Sequence, residues 1–320
     1  MEHRARVITV TPAPSIDRTY VVDALELGGV HRAVSAAADF AGKGVNVTHA
    51  LTVAGVPSEA IVPLTTADAE QYGTNGTLRA SLASHSVRHN ITVIEPGGRT
   101  TKINALAPEL TSLEWDSLHA EALSRVATHQ ASWLLVAGTL PAGQIDRAEA
   151  LMVEASQGGC LVGLDTSGEA LIRSARAGVP DFVKPNAMEL AECVGFSLTT
   201  IGDVVRAAQD LVSWGVKTVA VSLGPDGMVG VNDRQTVHAW TKPLRVLNTI
   251  GAGDASVAGF LAHQLDSPDD LEGAIAQAVQ WGAQKVQQPG SHLENISSLP
   301  EAISTTALDL DRRLAEPGII

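Results

Sequence analysis

Four residues near the end of the chain have the types and spacing of an anion site with a base beside it: Gly251-Ala252-Gly253-Asp254. The apolar run that follows, from Ala255 to Ala262, predicts a helix that begins at these glycines. Glycines let a ligand approach the backbone, and the free N–H groups and positive dipole end of a helix start stabilise an anion. Asp254 would then take a proton from a hydroxyl that attacks a phosphoryl group held by the amides. The alternative is that Asp254 only caps the helix and the glycines form a tight turn.

A second glycine-rich helix start lies in the N-terminal third, at Ala41-Gly42-Lys43-Gly44-Val45-Asn46. Val47, Ala50 and Leu51 continue it with helical spacing. Two such starts in one chain indicate two phosphate- or hydroxyl-bearing ligands that face each other. The alternative is that Gly42 and Gly44 only permit close helix packing.

Two further loops each follow a predicted strand. In Lys184-Pro185-Asn186-Ala187-Met188-Glu189, the side chains of Asn186 and Glu189 share one helix face. They could hold the water shell of Mg2+, or form a capping box. Ser222-Leu223-Gly224-Pro225-Asp226-Gly227 leaves the carboxyl end of a strand, where nucleotide loops lie in open α/β sheets, and it also suits a hairpin turn.

Composition and charge exclude several classes. With 22 Lys and Arg against 35 Asp and Glu, the net charge of -13 argues against nonspecific binding to nucleic acid or anionic membranes. Cys160 and Cys193 are too few for a disulfide framework. Neither G-x-x-x-x-G-K-[ST] nor G-x-G-x-x-G occurs at these loops, which argues against a dinucleotide oxidoreductase. No signal-peptide-like run follows the start and no stretch of eighteen apolar residues occurs, so we expect a soluble cytoplasmic protein.

The coarse pattern predicts an α/β fold with a mostly parallel sheet and helices on both faces, since short β-rich runs alternate with helical ones from about residue 130. The predicted strands are Arg6-Val7-Ile8-Thr9-Val10, then 133–137, 161–165, 182–183 and 218–222, and the predicted helices lie near 144–157, 168–177, 187–193 and 201–214. Ligands are expected at the carboxyl ends of these strands. We expect one domain over residues 1–320.

The segment before this region has longer polar–apolar strands, which predict a separate small sheet. Residues 90–94 and 99–104 flank the turn Glu95-Pro96-Gly97-Gly98 as a hairpin, and residues 19–22 add a strand. This sheet would be a lid over the strand ends, formed by about residues 15–35 and 86–107. Residues 316–320 are expected to be a loose tail.

Together these segments resemble the ribokinase-like (PfkB-type) carbohydrate kinases, in the branch of 1-phosphofructokinase, tagatose-6-phosphate kinase and the minor 6-phosphofructokinases. The resemblance spans nearly the whole chain. It rests on seven segments in the family's order, namely Thr11-Pro12-Ala13-Pro14-Ser15-Ile16-Asp17, Gly42-Lys43-Gly44-Val45-Asn46, Gly138-Thr139-Leu140-Pro141, Asp165-Thr166-Ser167-Gly168-Glu169-Ala170-Leu171, Lys184-Pro185-Asn186 with Glu189, Ser222-Leu223-Gly224 with Gly227, and Gly251-Ala252-Gly253-Asp254.

The resemblance implies ATP and Mg2+ as co-substrates and transfer of a phosphoryl group to a sugar hydroxyl. It makes Asp254 the base and the amides of Gly251, Ala252 and Gly253 the anion hole. The implied sugar-side residues are Asp17, Gly42, Lys43, Asn46, Arg88, Asn90 and Thr139, and the implied nucleotide-side residues are Lys184, Asn186, Ser222, Gly224 and Gly227. Glu189 matches the acidic position of the metal shell, and a monovalent cation site near Asn248 and Gly290 is a further implication.

A phosphosugar is the expected acceptor, because Arg88-His89-Asn90 resembles the branch's Arg-x-Asn and an arginine fork suits a phosphate. The alternative is that Arg88 is a solvated charge of the lid. Residues 99–104 resemble the lid strand of 1-phosphofructokinases, which favours fructose 1-phosphate over fructose 6-phosphate and tagatose 6-phosphate. A kinase of an unphosphorylated sugar and a sugar-phosphate sensor stay open, and the exposed lid predicts a homodimer surface.

Overall fold

The computed structural model describes residues 5–72, 76–242 and 245–320. Its strands are β1 Val7–Val10, β2 Ser15–Val21, β3 Ser35–Ala41, β4 Ser58–Leu64, β5 Leu78–Leu82, β6 Arg88–Ile94, β7 Thr100–Ile103, β8 Trp133–Ala137, β9 Leu161–Asp165, β10 Phe182–Val183, β11 Leu198–Thr200, β12 Thr218–Ser222, β13 Met228–Asn232, β14 Thr236–Thr241, β15 Ala302–Thr305 and β16 Arg313–Gly318. Its α-helices are α1 Lys43–Val53, α2 Thr66–Tyr72, α3 Ser112–His129, α4 Ile145–Gln157, α5 Gly168–Arg176, α6 Ala187–Val194, α7 Ile201–Ser213, α8 Ala252–Asp266 and α9 Leu271–Val286.

The largest sheet within these ranges has ten strands in the order β15-β14-β13-β12-β10-β9-β8-β1-β4-β5. The strands from β12 to β5 along this order pair in parallel, whereas β13, β14 and β15 add an antiparallel edge. The expected mostly parallel α/β fold is confirmed. Because parallel strands share one direction, the loops after β1, β8, β9, β10 and β12 meet at one edge of the sheet.

Alternate residues of the central strands feed two apolar cores, one on each face of this sheet. In β8, Leu134 and Val136 pack with helices α3 to α7, and Trp133 and Leu135 pack with α1, α8 and α9. This period of two is the reason that the strand reads as a continuous apolar run in the sequence. The helices α1 and α8 lie side by side in one of the two helical layers, so the two glycine-rich helix starts lie at the same edge of the sheet.

A second sheet of four strands has the order β3-β2-β6-β7. It contains the predicted hairpin of β6 and β7 and the predicted strand around residue 20, and β2 pairs with β6 in parallel. The strand β3 lies partly beyond the expected limits of the lid. It begins with the exposed residues Ser35, Ala36, Ala37 and Ala38, which carry no strong strand signal.

The prediction of a loose tail over residues 316–320 is wrong. These residues overlap β16, which pairs antiparallel with β11, and the buried Leu314 anchors this strand in the core. Gly318 packs so closely on α6 that a Cβ there would lie 2.2 Å from the carbonyl oxygen of Ala187. None of the helices in the described ranges has the length and apolar character needed to cross a membrane.

Candidate active site

The helix start at Gly251 forms as the glycine pattern predicts. Gly251 precedes α8 in the left-handed region, with φ 78° and ψ 0°, and a Cβ at this position would lie 2.1 Å from the carbonyl oxygen of Ser291. Only glycine fits this backbone. Among the hydrogen bonds of the described residues, none uses the amides of Gly251 or Gly253, whereas the Ala252 amide donates to Thr249 O over a long 3.3 Å. Free amides at a helix start bind anions.

Asp254 lies buried in the first turn of α8. Burial raises the pKa of its carboxyl group to about 6, and the neighbouring Asp165 carboxylate adds to the rise, against the opposing effects of Lys43, Asn46 and Lys184. The side-chain amide of Asn46 donates to Asp254 Oδ2 over 2.7 Å. The carboxylate therefore keeps a fixed orientation and a pKa close to neutral, which suits a general base.

His292 fixes the orientation of Asn46 in turn. Its Nε2 atom lies 3.1 Å from Asn46 Oδ1, so the amide nitrogen of Asn46 faces Asp254. Burial is the largest influence on His292 and lowers the pKa of its ring, which favours the neutral form. Nothing in the sequence around His292 indicated this role, because it lies in a loop 38 residues after Asp254.

Asp165 is the centre of a buried charge cluster. It is the last residue of β9 and pairs with the ammonium of Lys43 at 3.0 Å and with that of Lys184 at 3.9 Å. Burial opposes the charge of Asp165, but Lys184 and Lys43 outweigh it and hold the pKa of this carboxyl below its usual value. Burial also opposes the charge of Lys43, yet Asp165, Asp254 and Glu189 raise its pKa above the usual value.

The ammonium of Lys184 also reaches the anion hole. A Cβ on Gly253 would lie 3.3 Å from Lys184 Nζ, so the ammonium lies directly against the start of α8. The sequence assigns Lys43 to the sugar side, and in the structure its ammonium pairs with Asp165. Together these residues place two cations and two carboxylates around the free amides of α8.

A cavity of about 1150 Å3 opens on one side of this helix start. It brings together Asn186, Ser222, Gly224, Gly227, Ala252 and Gly253, six of the residues that the sequence assigns to the nucleotide and the anion hole. A backbone bridge joins the loops, since the amide of Ser222 donates to Pro185 O over 3.0 Å. Lys184, Glu189 and Gly251 are not among the residues that line the cavity.

The cavity has walls that the sequence did not indicate. One wall is a face of α9, where Val279, Gly282, Ala283 and Val286 recur with helical spacing. The opposite wall contains Trp240 of β14, with Arg312 and Glu316 from the C-terminal segment. The helical spacing of small and apolar residues on α9 could have indicated this wall from the sequence. The contribution of the C-terminal segment could not be predicted, because it depends on the pairing of β16 with β11.

The capping box expected as one interpretation of Asn186 and Glu189 is present. Asn186 Oδ1 accepts from the amide of Glu189 and Glu189 Oε2 accepts from the amide of Asn186, both over 2.9 Å. The Oε1 atom of the half-buried Glu189 makes no hydrogen bond within the described ranges. The capping box thus fixes a carboxylate at the edge of the charge cluster and leaves one of its oxygens for another partner.

The lid presents a row of polar side chains toward α8. Asp17, Asp39 and Asn90 are neighbours across three strands, and Asn90 Nδ2 donates to Asp17 Oδ1 over 3.0 Å. Ser291, whose carbonyl oxygen packs against Gly251, donates to Asp39 Oδ2 over 3.1 Å. The row therefore lies near the anion hole, on the lid side of Asp254. Asp39 was not a candidate in the sequence, because β3 was not predicted.

Arg88 lies at the base of the lid, half-buried. Its NH1 donates to Ala105 O over 2.9 Å and its NH2 to Ala13 O over 3.3 Å, while Nε is buried with no partner in the described residues. Burial lowers the pKa of Arg88, and Asp17 opposes this effect. Arg88 is thus a half-buried cation that no carboxylate of the described residues contacts directly, in contrast to a fully solvated charge of the lid.

The other two predicted sugar-side residues lie at strand ends. Thr139 is exposed after β8. Gly42, with φ 147°, precedes α1, and a Cβ there would lie 2.7 Å from the Thr11 side chain.

The region around Asn248 and Gly290, where the sequence predicts a monovalent cation, is crossed by protein contacts. The Asn248 side-chain amide donates to Pro289 O and Gly290 O over 2.9 and 3.0 Å. Asn248 O accepts from the ammonium of Lys285, which is completely buried. Asn248 O, Pro289 O and Gly290 O therefore each accept a hydrogen bond from one of the protein's own nitrogen donors.

Free amides at a helix start, a buried carboxylate with a raised pKa, and a large cavity at the carboxyl edge of an α/β sheet are the features of a phosphotransferase that acts on a hydroxyl group. The model of the pfkB family carbohydrate kinases matches residues 10–297, and the chain belongs to this family. It is an ATP-dependent carbohydrate kinase. The family resemblance of the sequence is thereby confirmed.

Curated relatives match over most of their length. The 1-phosphofructokinase of Rhodobacter capsulatus is 32% identical over 314 residues, which cover 95% of this chain and 98% of the relative. The ATP-dependent 6-phosphofructokinase isozyme 2 of Escherichia coli is 29% identical over 90% of this chain and 94% of the relative. The crystal structure of phosphofructokinase-2 from Escherichia coli in complex with potassium has a TM-score of 0.83 at 29% identity, and covers 91% of this chain and 96% of that chain.

Proposed function

We propose that this protein transfers the γ-phosphoryl group of ATP to fructose 1-phosphate and forms fructose 1,6-bisphosphate. The observation that carries the proposal is the position of Asp254, a buried carboxylate between the large cavity and the polar row of the lid. A carboxylate beside a phosphate site repels the ligand and is useful only if it removes a proton. A sugar-phosphate sensor would gain nothing from it.

The reaction follows from this placement. Asp254 takes the proton of the free primary hydroxyl, whose oxygen forms a bond to the γ-phosphorus while the bond from that phosphorus to the bridging oxygen of ADP breaks. The amides of Gly251, Ala252 and Gly253 stabilise the negative charge on the transferred group. The lid excludes water, which would compete as an acceptor.

The nucleotide occupies the cavity in this proposal. Lys184 and Asn186 lie near the phosphates, and the loop of Ser222, Gly224 and Gly227 holds the nucleoside end. Mg2+ suits the site, because it keeps several waters and needs only one or two carboxylates besides the phosphates. Glu189, with one free oxygen, is the residue that would hold its water shell; the ion would neutralise charge on the phosphates. Within the described ranges, no group of three or more His, Cys, Asp or Glu side chains could hold a metal ion by itself.

The phosphosugar lies under the lid. Asp17, Asn90 and Asn46 are placed to receive its hydroxyl groups, with Gly42 and Lys43 closing the pocket below. Arg88 is the strongest candidate to hold the substrate phosphate, because it is half-buried and no carboxylate of the described residues contacts it directly. Thr139 completes this phosphate site from the end of β8.

An ATP-consumption screen tests the substrate. Fructose 1-phosphate, fructose 6-phosphate, tagatose 6-phosphate and fructose are offered at equal concentration, and product is identified by mass. We expect kcat/KM for fructose 1-phosphate to exceed the others by at least about tenfold, the effect of one well-placed polar contact. A clear preference for another phosphosugar would reassign the substrate. A preference for fructose would remove the role given to Arg88, and turnover of none of them would favour the sensor.

We also propose a homodimer through the lid and a cytoplasmic location. The lid face opposite Asp17 carries Tyr20, Ala36, Val93 and Ile103, with Ile103 59% exposed. An exposed apolar sheet face of this kind is typical of a protein interface. Light scattering of the wild type and of Ile103→Lys tests the dimer, which the variant should weaken.

A further inference from the structure

The ammonium of Lys285 is buried at an unusual place. Lys285 lies in the last turn of α9 with no exposed surface, and its Nζ donates to Asn248 O over 3.0 Å. No carboxylate of the described residues lies within 4.0 Å of this ammonium. A buried cation without a close counter-ion costs several kcal/mol, so the fold retains it against a considerable penalty.

The Lys285 side chain passes directly beneath the anion hole. Its Cε lies 3.6 Å from the position that a Cβ of Gly251 would occupy, and Gly251 begins α8. The positive end of the α8 dipole is therefore next to the positive charge of Lys285, which is unfavourable until an anion binds at the helix start. The arrangement favours a bound phosphate and penalises an empty site.

The same contacts join the two loops that the sequence assigns to a monovalent cation. The ammonium donates a hydrogen bond to Asn248 O, and the side-chain amide of Asn248 donates to Pro289 O and Gly290 O. The backbone amides of Leu247 and Asn248 also donate to Val286 O. A potassium ion here would need several of these carbonyl oxygens as ligands, and the ammonium of Lys285 and the side-chain amide of Asn248 already donate to three of them.

We propose that the Lys285 ammonium is a permanent internal cation for the anion hole and takes the place of a bound monovalent metal ion, so that this kinase works without potassium. Lys285 is a positioning residue, since it acts through Gly251 and the loop of Asn248 and touches no substrate. Burial lowers the pKa of Lys285 to about 8, with Glu294 and Asp254 opposing, so most of the protein carries this charge at pH 7. The proposal rests on the proposed phosphoryl transfer.

The test begins with the wild type. The full-length protein is dialysed into buffers of equal ionic strength whose monovalent cation is potassium, sodium or tetramethylammonium, with Mg2+ constant. We expect kcat/KM to differ by less than about twofold among the three, and the melting temperature to be the same in each. A rise of about tenfold or more in potassium would overturn the proposal, whatever the variants do.

Two variants separate charge from volume. Lys285→Met keeps the length of the side chain and should lower kcat by roughly tenfold or more, because one electrostatic stabiliser of the transferred group is lost. The kcat of Lys285→Ala should fall by as much in tetramethylammonium. It should recover at least in part in potassium, ammonium or methylammonium, which fit the space left by the side chain. The same ions should raise the melting temperature of Lys285→Ala and leave that of the wild type unchanged.

Lys217→Ala is the matched control, because Lys217 is an exposed lysine immediately before β12 whose ammonium pairs with Asp181 at 2.6 Å. It should behave as the wild type in every buffer. Wild-type kcat in Lys285→Met would refute the role of the charge. If no sugar is turned over in any buffer, the proposed function fails, and the melting temperatures still decide whether potassium binds to the wild type.

Discussion

Replacing Asp254 by Asn should abolish most activity and at the same time stabilise the protein. Asp254 is buried and repelled by Asp165, and these effects raise the pKa of its carboxyl group from 3.8 to about 6. Asn has a similar shape and its Oδ1 can still accept the hydrogen bond from Asn46. The variant therefore removes the charge and keeps the packing.

The size of the stabilisation follows from the pKa. The carboxyl group binds its proton more tightly in the folded chain than in the unfolded one, so its favourable contribution is complete below 3.8 and is lost as the pH rises through about 6. At pH 8 the ionised group costs the fold about 3 kcal/mol, at 1.36 kcal/mol for each pKa unit. At pH 5 the cost is about half of this. Asn, which does not ionise, avoids both costs.

The assay is urea and thermal unfolding without ligands at pH 8 and pH 5. We expect Asp254→Asn to melt roughly 5 °C or more above the wild type at pH 8 and by about half that difference at pH 5. The exposed Asp309→Asn is the control and should change the melting temperature little at either pH. An unchanged or lower melting temperature at pH 8 would show that the pKa of the Asp254 carboxyl group is not raised in the folded protein.

The same variant tests catalysis. Loss of a general base typically costs about 10²- to 10⁴-fold in kcat, with the affinity for ATP little changed. In the wild type, kcat/KM should fall about tenfold for each pH unit below about 6, because the protonated carboxyl cannot accept the proton. Near-normal turnover of Asp254→Asn would refute the assignment of the base.

Three further variants test other parts of the site. Arg88→Ala should raise the KM for the phosphosugar by about tenfold or more and leave the KM for ATP unchanged. Arg99→Ala, in the turn of the same lid, should change neither value. If the KM of Arg88→Ala for the phosphosugar equals that of the wild type, Arg88 does not hold the substrate phosphate. Deleting residues 313–320 removes β16 and Glu316 from the cavity wall and should raise the KM for ATP, while deleting residues 319–320 should not. If the two deletions change the KM for ATP equally, β16 does not contribute to the nucleotide site. Gly251→Ala should destabilise the fold by about 2 kcal/mol or more and abolish turnover, as judged by urea unfolding beside Gly195→Ala, which has the same φ of 78° and nothing within 4 Å of the added Cβ. Equal losses in the two would attribute the effect to φ alone.

Much of the fold could be predicted because its signals are local. The strands 133–137, 161–165 and 218–222 have the bounds that their apolar runs indicate, and the helix starts at Gly251 and Asn186 follow from glycine and capping patterns. Period, capping and turn chemistry involve residues within a few positions of each other, so one sequence suffices to read them. The pairing of the lid strands was readable for the hairpin only, since its strands are joined by a short turn.

The residues that only the tertiary structure could reveal are joined across long stretches of chain. Asp165 meets Lys43, 122 residues away in sequence, because β9 ends and α1 begins at the same edge of the sheet. Lys285 reads as an ordinary cation near a helix C-terminus, and its burial under Gly251 depends on the packing of α8 against α9. The sequence by itself thus determined the family and singled out Asp254 as the candidate base, and the order of the strands and the packing of two helices decided which charges surround that residue.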